Sequence, residues 1–423
     1  MRRIKLCFVL PLSFLFIIST SSHNSCFIMV HFKNILASLA LASAAAAHPG
    51  HDPREEALER RTYYDSVPQT KRSLSHCEAR IKARGLGQRS LARRDALATN
   101  MRQKRGLPAA MGNFSIETER LLIAANQRAE KRDAASVLNT THLSKDTSIN
   151  MDVTEEYLFG NGSCILVPEV TQGPYYVEGE FIRKNITENQ EGVPITLDIQ
   201  VIDVNTCEPV PDVYIDFWHC NATGVYSGIV TSGNGDSLDT VNVNTTFLRG
   251  IAETDTEGVA TFESIVPGHY TSHANHVHIV THTNTTLYVN GTMSSGSVQH
   301  VGQLFFDMSL LKQVEATYPY NTNTQDWTTN SEDSILSEET ATDGVDPVVE
   351  YILLGDDITD GVLAWISMGV DMINNQTITP AGNYYRTGGV MDSSSSGMGG
   401  GMGGGGDEPG NGTSNGTAGA PPS

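Results

Sequence analysis

The sequence predicts an all-β fold for this chain: a β-sandwich with a helical arm before it and a disordered tail after it. From Leu166 onward, short runs rich in β-branched and aromatic residues recur at close spacing. Turn sequences such as Asp255-Thr-Glu-Gly258 separate these runs. The segments on either side have a helical and a Gly-rich composition. Several short strands at such spacing predict two packed sheets as the core.

The clearest strand is Thr196-Leu-Asp-Ile-Gln-Val-Ile-Asp203, which begins with strict alternation. Successive side chains of a strand point to opposite faces, so Leu197, Ile199 and Val201 share one face and Thr196, Asp198 and Gln200 share the other. Similar runs predict further strands at residues 213–220, 258–266, 276–282, 303–306 and 348–354.

The start of the chain carries two apolar stretches, at residues 6–18 and 35–47. The second follows Met29 and a short basic segment and ends in four alanines, which is typical of a cleaved secretion signal. Residues 1–47 are therefore predicted to be this signal, with the mature chain beginning near His48. Residues 1–28 are either an over-extended gene model or a first signal beginning at Met1. No later run is long enough to span a bilayer.

Residues 48–149 are rich in Arg, Ala, Leu and Glu and are predicted to form a basic helical arm. The arm also contains dibasic pairs such as Arg93-Arg94, which leave a second interpretation open. It is either a propeptide cut by a processing protease or a basic helix lying on an acidic body. The last segment, residues 391–423, is rich in Gly and Ser and is predicted to be disordered.

The net charge of −20 argues against nucleic acid and anionic membranes as the main partners, because binding to either requires a basic surface. Most of the 28 Lys and Arg residues lie between Arg54 and Arg132, so the body is strongly acidic.

Secretion is also indicated by Asn-x-Ser/Thr sequons, which accept glycans only in the secretory route. They occur at Asn113, Asn139, Asn161, Asn185, Asn221, Asn244, Asn284, Asn290, Asn375, Asn411 and Asn415. Cleavage of the signal would leave four cysteines in an oxidising compartment, where three pairings are open. They are Cys77, Cys164, Cys207 and Cys220.

The sequence Tyr270-Thr-Ser-His-Ala-Asn-His-Val-His278 carries the strongest chemical signal. On a strand, His276 and His278 would present two imidazoles to one side, as a metal-ligand pair. Tyr270 follows a Pro-Gly turn that can fold back over the strand, and Tyr226 comes just after another strand. Two phenolates with two imidazoles make a hard, anionic site that favours iron(III). The predicted cofactor is non-haem Fe(III), held by Tyr226, Tyr270, His276 and His278.

A family resemblance rests on ordered motifs between Val167 and Met308. They are Gly173-Pro-Tyr-Tyr-Val177, Phe217-Trp-His, Gly-Val-Tyr-Ser227, Leu248-Arg-Gly, Pro267-Gly-His-Tyr270 and His276-Val-His278. In these motifs the chain resembles the intradiol ring-cleavage dioxygenases. It resembles their secreted fungal branch most closely. The resemblance implies a catalytic β-sandwich at residues 150–390. It also implies an oxidoreductase that uses O2 to open catechol rings between the two hydroxyls, giving muconate-type diacids.

The resemblance also implies roles for single residues. Tyr226 and His276 would be equatorial ligands, and Tyr270 and His278 axial ones, with Tyr270 leaving the metal when the catechol binds. Gln303 matches a glutamine that orients groups near the metal; a strand glutamine bonded to backbone is an equal alternative. Pro174 and Tyr175 match the segment lining the substrate mouth. Trp218 is assigned to the core, and a homodimer formed through the arm is a further expectation.

One position departs from the family pattern. An arginine is expected three residues before His276, where its charge would stabilise the reacting substrate. The chain has His273 there. A protonated histidine is a shorter and titratable replacement, so a preference for acidic conditions is our hypothesis.

Two other functions stay open. One is a secreted metal-binding β-sandwich with weak or no turnover, suggested by His273. The other is a copper site at the mature amino terminus, built from His48 of His48-Pro-Gly-His51. Which catechol is used is not encoded in any motif.

Overall fold

A computed structural model of the chain describes residues 74–108, 134–139, 141–144, 164–165, 175–340 and 345–392. The secretion signal, most dibasic pairs, His48, Pro174 and the Gly-rich tail from residue 393 lie outside the described residues. The helices are α1 (Glu78–Ala83), α2 (Leu86–Lys104), α3 (Ala134–Asn139), α4 (Met308–Glu315) and α5 (Ser334–Glu339). Within the described residues, none of the helices has the length and apolar character needed to cross a membrane.

Twelve strands form three sheets in the described part of the chain. They are β1 (Cys164–Ile165), β2 (Val177–Glu178), β3 (Pro194–Asp203), β4 (Tyr214–Trp218), β5 (Arg249–Glu253), β6 (Val259–Ile265), β7 (His276–Thr283), β8 (Ser297–Phe305), β9 (Glu350–Leu353), β10 (Val362–Val370), β11 (Gly382–Tyr385) and β12 (Gly388–Met391). The predicted all-β sandwich with a helical arm is confirmed.

The site lies on an antiparallel sheet of order β5-β4-β7-β8. A second sheet runs β1-β10-β3-β6, with β9 also paired to β10, and β10 is parallel to both β1 and β3. The core lies between the two sheets, where Phe217 of β4 stacks on Phe262 of β6 with ring centroids 4.4 Å apart. A small sheet of order β12-β11-β2 completes the fold.

The predicted strand at residues 196–203 is β3, and its alternation decides what packs on each face. Leu197, Ile199 and Val201 lie in the core between the sheets. Asp198 and Gln200, on the opposite face, are also buried, because α2 covers them. Ser90 donates to Gln200 Oε1 at 2.9 Å.

The same helix buries a charged group. Arg93 donates from Nε and Nη2 to the two oxygens of Asp198 at 2.9 and 3.0 Å. Arg94 Nε lies 3.2 Å from Asp198 Oδ1, and burial lowers the pKa of Arg94 to about 10 against the opposing effect of Asp198. The predicted dibasic pair Arg93-Arg94 is therefore engaged in contacts with the body. Whether the arm is retained or cleaved stays a prediction.

The described residues contain one disulfide among the four cysteines for which the sequence left three pairings open. Cys77, just before α1, forms a disulfide with Cys207, which follows β3. Cys220 is a free, buried thiol that donates to the carbonyl of Gly268 at 3.3 Å. The disulfide joins the arm covalently to the sandwich.

A buried histidine joins residues 141–144 to the body. His142 Nε2 lies 3.0 Å from Asp346 Oδ2, and its Nδ1 lies 3.4 Å from Asp307 Oδ2. Burial alone would lower the pKa of His142, but the charges and hydrogen bonds of these carboxylates outweigh it and raise the pKa to about 10. Asp307 has its pKa lowered to about 2, since its bonds to His142 outweigh the opposing effect of burial.

A pH-dependent stability follows from His142. Its folded-state pKa exceeds the ordinary value of 6.5, so its contribution is complete below pH 6.5 and is lost as the pH rises through about 10. The variant His142→Gln should unfold with a free energy about 3–5 kcal/mol lower near pH 6, because two buried carboxylates lose their counter-ion. Denaturant unfolding at intervals from pH 6 to 10 would measure this. If the difference in unfolding free energy between the wild type and His142→Gln stays constant from pH 6 to 10, the raised pKa of His142 is contradicted.

Candidate active site

The two histidines of the His-x-His motif lie together on β7 and point to the same face of the sheet. Both are buried. In the strand register, His276 is opposite Phe305 of β8, while His278 has Trp218 of β4 on one side and Gln303 of β8 on the other. Trp218 stacks on His278 with ring centroids 5.0 Å apart and planes 6° apart. The indole thus fixes the orientation of the His278 ring.

The two tyrosines come from loops that pack backbone against backbone. Tyr226 follows β4, and Tyr270 follows β6. A Cβ on Gly268 would meet the carbonyl oxygen of Ala222 at 2.4 Å, and a Cβ on Gly224, whose φ is +81°, would meet that of His269 at 2.3 Å. Since only glycine fits at these two points, the motif glycines allow the loops to bring their tyrosines together.

All four predicted ligands converge at His276 Nε2. This atom lies 3.0 Å from His278 Nε2, 3.2 Å from Tyr270 Oη and 3.4 Å from Tyr226 Oη. Each of the four side chains is at most 3% exposed. The structure thus brings together the whole predicted ligand set.

The protonation pattern suits a cation at this point. His276 Nδ1 lies 2.7 Å from the carbonyl oxygen of Ala274, which requires the proton on Nδ1 and leaves the Nε2 lone pair facing His278 and the phenols. Burial raises the pKa of Tyr226 and of Tyr270 well above the usual tyrosine value. Buried phenolates therefore need a strong positive charge beside them, and a trivalent metal supplies it. The residues present fit an iron(III) ion.

Other predicted site residues lie around these four. Gln303 is fully buried, and its amide oxygen and nitrogen have no hydrogen-bond partner among the described residues. The alternative of a glutamine bonded to neighbouring backbone is thus not what the structure has. Tyr175 is buried, with its ring 4.6 Å from that of Tyr226, whereas Pro174 lies outside the described residues.

His273 occupies the predicted position beside the ligands. Its ring centroid is 5.0 Å from that of Tyr270 and 5.8 Å from that of His276. Its Nδ1 lies 3.8 Å from Asp333 Oδ2, and Asp333 also accepts from the backbone N–H of Ala274 at 2.7 Å. An acidic side chain therefore lies next to the imidazole that replaces the expected arginine.

Several residues that support the site were missed by the sequence analysis. Asn234 and Asn242 bond the main chain of Tyr226, and Arg249 bonds Ser227. Asp333 lies beside His273. Only Arg249 had a signal, as part of the Leu248-Arg-Gly motif. The assignment of Trp218 to the core holds, but the residue also stacks on a ligand.

A pocket of about 380 Å³ lies beside the two tyrosine loops. Its lining includes Val225, which precedes Tyr226, and Gln325. Gln325 Nε2 donates to the carbonyl of Thr223 at 2.9 Å, so the loop that carries it is tied to the Tyr226 loop. None of the four predicted ligands lines this pocket.

Comparisons with known proteins agree with the motifs. Residues 171–308 match the family model described as Dioxygenase. The solved structure of an intradiol ring-cleavage dioxygenase from Tetranychus urticae is 27% identical, covers 51% of this chain and 98% of that chain, and has a TM-score of 0.42. A catechol 1,2-dioxygenase from Pseudomonas arvilla C-1 is 19% identical over 48% of this chain and 62% of that chain, with a TM-score of 0.30. The comparison with curated proteins finds no match.

The matched segment contains every predicted ligand and the motifs on which the resemblance rests. Residues 171–308 are therefore a dioxygenase domain whose motifs resemble those of the intradiol ring-cleavage dioxygenases, and a dioxygenase is an oxidoreductase.

Proposed function

We propose that the chain is an extracellular non-haem iron(III) dioxygenase that opens catechol-type rings between the two hydroxyls with O2, giving muconate-type diacids. The convergence of two phenols and two imidazoles at His276 Nε2 is the observation that carries the proposal. Tyr226, Tyr270, His276 and His278 would hold the ion. Iron(III) bound there would act as a Lewis acid and template for both catechol oxygens.

The protein's own residues divide the remaining work. Burial excludes water from the ligands, and the hydrogen bond from Nδ1 of His276 to Ala274 keeps its Nε2 available. Tyr270 lies on the loop after β6, and we assign to its Oη the uptake of a proton from the incoming catechol. The high pKa that burial gives this phenol favours that uptake.

The substrate side of the site would be formed by Tyr175 and Gln303. The hydroxyl of Tyr175 and the amide of Gln303 are buried and have no partners among the described residues. Buried polar atoms without partners cost free energy, and a polar substrate would remove that cost by bonding to them. The aromatic face of Tyr175 suits a flat ring.

Oxygen uptake by the iron-loaded protein tests this function. Catechol and hydroxyquinol should each be tested as substrates, because the sequence motifs do not distinguish between them. We expect uptake of one O2 per ring opened and the ultraviolet absorbance of a muconate-type product. The matched blank is the same protein after removal of iron, which should be inactive and recover on reloading.

A metal-binding sandwich with weak or no turnover is the second candidate, because His273 stands where an arginine was expected. An iron-replete protein that consumes no oxygen with either compound would favour this candidate. The copper site proposed at His48 lies outside the described residues and has no further support.

His273 leads to a specific prediction about pH. If its protonated ring stabilises the reacting substrate, the wild-type rate should fall as the pH rises through the range where imidazoles lose their proton. Asp333, 3.8 Å away, provides the counter-charge. The variant His273→Arg should keep its rate across that range, because guanidinium stays charged. Profiles that coincide in shape and rate would exclude this role.

Secretion is also part of the proposal. Among the described sequons, Asn185, Asn244, Asn284, Asn290 and Asn375 are exposed and therefore accessible to glycosylation. The Cys77–Cys207 disulfide is typical of proteins from oxidising compartments. A decrease in mass on enzymatic deglycosylation of protein from the culture medium would support this localisation, and an unglycosylated intracellular protein would exclude it. The homodimer stays a prediction.

A further inference from the structure

We propose that Arg249 is a positioning residue for the metal ligand Tyr226, and that it acts through the main chain of Ser227. The inference rests on the proposed function. Arg249 lies at the start of β5 and is 1% exposed. Burying a guanidinium costs several kcal/mol unless it is well bonded, so its contacts are informative about its role.

Arg249 forms hydrogen bonds with Ser227, the residue that follows Tyr226. Its Nε and Nη2 donate to the carbonyl oxygen of Ser227 at 3.0 and 2.8 Å, and Nε lies 3.0 Å from Ser227 Oγ. The hydroxyl of Ser227 in turn donates to the carbonyl oxygen of Phe247 at 2.6 Å. A forked, charge-assisted contact of this kind fixes direction as well as distance. The peptide that joins Ser227 to Gly228 cannot rotate without breaking this contact.

Two asparagines hold the main chain of Tyr226 itself. Asn234 Oδ1 accepts from the backbone N–H of Tyr226 at 2.7 Å, and its Nδ2 donates to the carbonyl oxygen of Tyr226 at 2.9 Å. Asn242 Nδ2 donates to the same oxygen at 2.8 Å. Both amides also donate to the carbonyl of Ile229. Together with Arg249 they form a clamp, by which we mean these three side chains.

The main chain of Tyr270 is held by contacts other than the clamp. The N–H of His273 donates to the carbonyl oxygen of Tyr270 at 3.3 Å, and that of Thr271 donates to Gln325 Oε1 at 3.4 Å. The clamp therefore acts on the main chain of Tyr226 and not on that of Tyr270.

Arg249 also touches the histidine side of the site. It is opposite Trp218 in the register of β4 and β5, and Trp218 stacks on His278. Arg249 Nε also lies 3.7 Å from Oε1 of the buried Glu180, which forms an ion pair with the guanidinium. A shift of Arg249 would therefore reach ligands on two different elements.

The variant Arg249→Lys tests the clamp, because it keeps the charge and removes the fork. We expect a shifted and broadened tyrosinate-to-iron(III) absorption band, and weaker iron retention by roughly 10–100-fold, which is the effect of substitutions that support metal ligands. Circular dichroism and thermal unfolding would establish that the variant folds. A residue that only stabilised the fold would lower the melting temperature and leave the band unchanged.

Arg102→Lys is the matched control. Arg102 on α2 is 2% exposed and donates from Nε and Nη2 to the carbonyls of Leu354 at 3.0 Å and Leu353 at 3.3 Å. The variant Arg102→Lys thus loses a comparable pair of buried guanidinium hydrogen bonds, which lie on the other sheet. It should keep the wild-type band and iron retention.

If Arg249→Lys does not fold, the variant Asn242→Ala takes its place, because it removes a different part of the clamp. It should shift and broaden the absorption band in the same way. A wild-type band and wild-type iron retention in the folded variants would overturn the inference. Absence of the band from iron-loaded wild-type protein would instead overturn the proposed function, so the two failures are distinguishable.

Discussion

The variant Tyr226→Phe is expected to lose iron affinity and ring-cleavage activity. Each loss should exceed the roughly 10–100-fold decrease that follows when a residue supporting a metal ligand is replaced. Phenylalanine fills the same space, so the loss would come from the missing phenol oxygen, which lies 3.4 Å from His276 Nε2. Iron content after dialysis and the oxygen-uptake rate at saturating iron measure the two effects.

Tyr351→Phe is the matched control for that loss. Tyr351 is equally buried, in the core between the sheets, and its hydroxyl lies 3.2 Å from Ser309 Oγ. Removing this hydroxyl should cost about 1 kcal/mol of stability and leave iron content unchanged. Equal iron content in the two variants would show that Tyr226 is not a ligand.

Removal of the Cys77–Cys207 disulfide should have the largest effect on stability. The two cysteines are 130 residues apart, and closing so long a loop restricts the unfolded chain strongly. The double variant Cys77→Ala/Cys207→Ala should lose about 4–5 kcal/mol of unfolding free energy on the loop-closure model. Denaturant unfolding measures it.

The control for the disulfide is a reducing agent. Dithiothreitol should destabilise the wild type towards the level of the double variant and leave the double variant unchanged. Because the bond joins the arm to the sandwich, the arm should also become more susceptible to protease in the variant. Equal unfolding free energies for wild type and variant would mean that α1 and α2 are held by their other contacts alone.

The strand pattern predicted much of the site because its signals are local. A histidine pair two residues apart on a strand must share a face, and β7 places His276 and His278 in that way. The Pro-Gly turn before Tyr270 indicated a loop that folds back over the strand, and Tyr226 was predicted to come just after another strand. For these residues, short-range sequence patterns were sufficient.

Other features depend on contacts distant in the sequence and could not be predicted locally. Asp198 and Gln200 form the polar face of an alternating strand, and only the packing of α2 explains why they are buried. Asp333 lies sixty residues from His273, and no motif links them. The strands β1, β2, β5, β10, β11 and β12 were also missed. Strand β10 is buried throughout and carries almost no alternation, which removes the usual signal.

The central claim is that Tyr226 and Tyr270 bind iron(III) with His276 and His278. The most direct test is the visible spectrum of the purified, secreted protein together with its iron content. The account predicts about one iron per chain and a red-brown colour from tyrosinate-to-iron(III) charge transfer, which should be lost on iron removal and restored by ferric ion. A protein that stays colourless with ferric ion added in excess would contradict it.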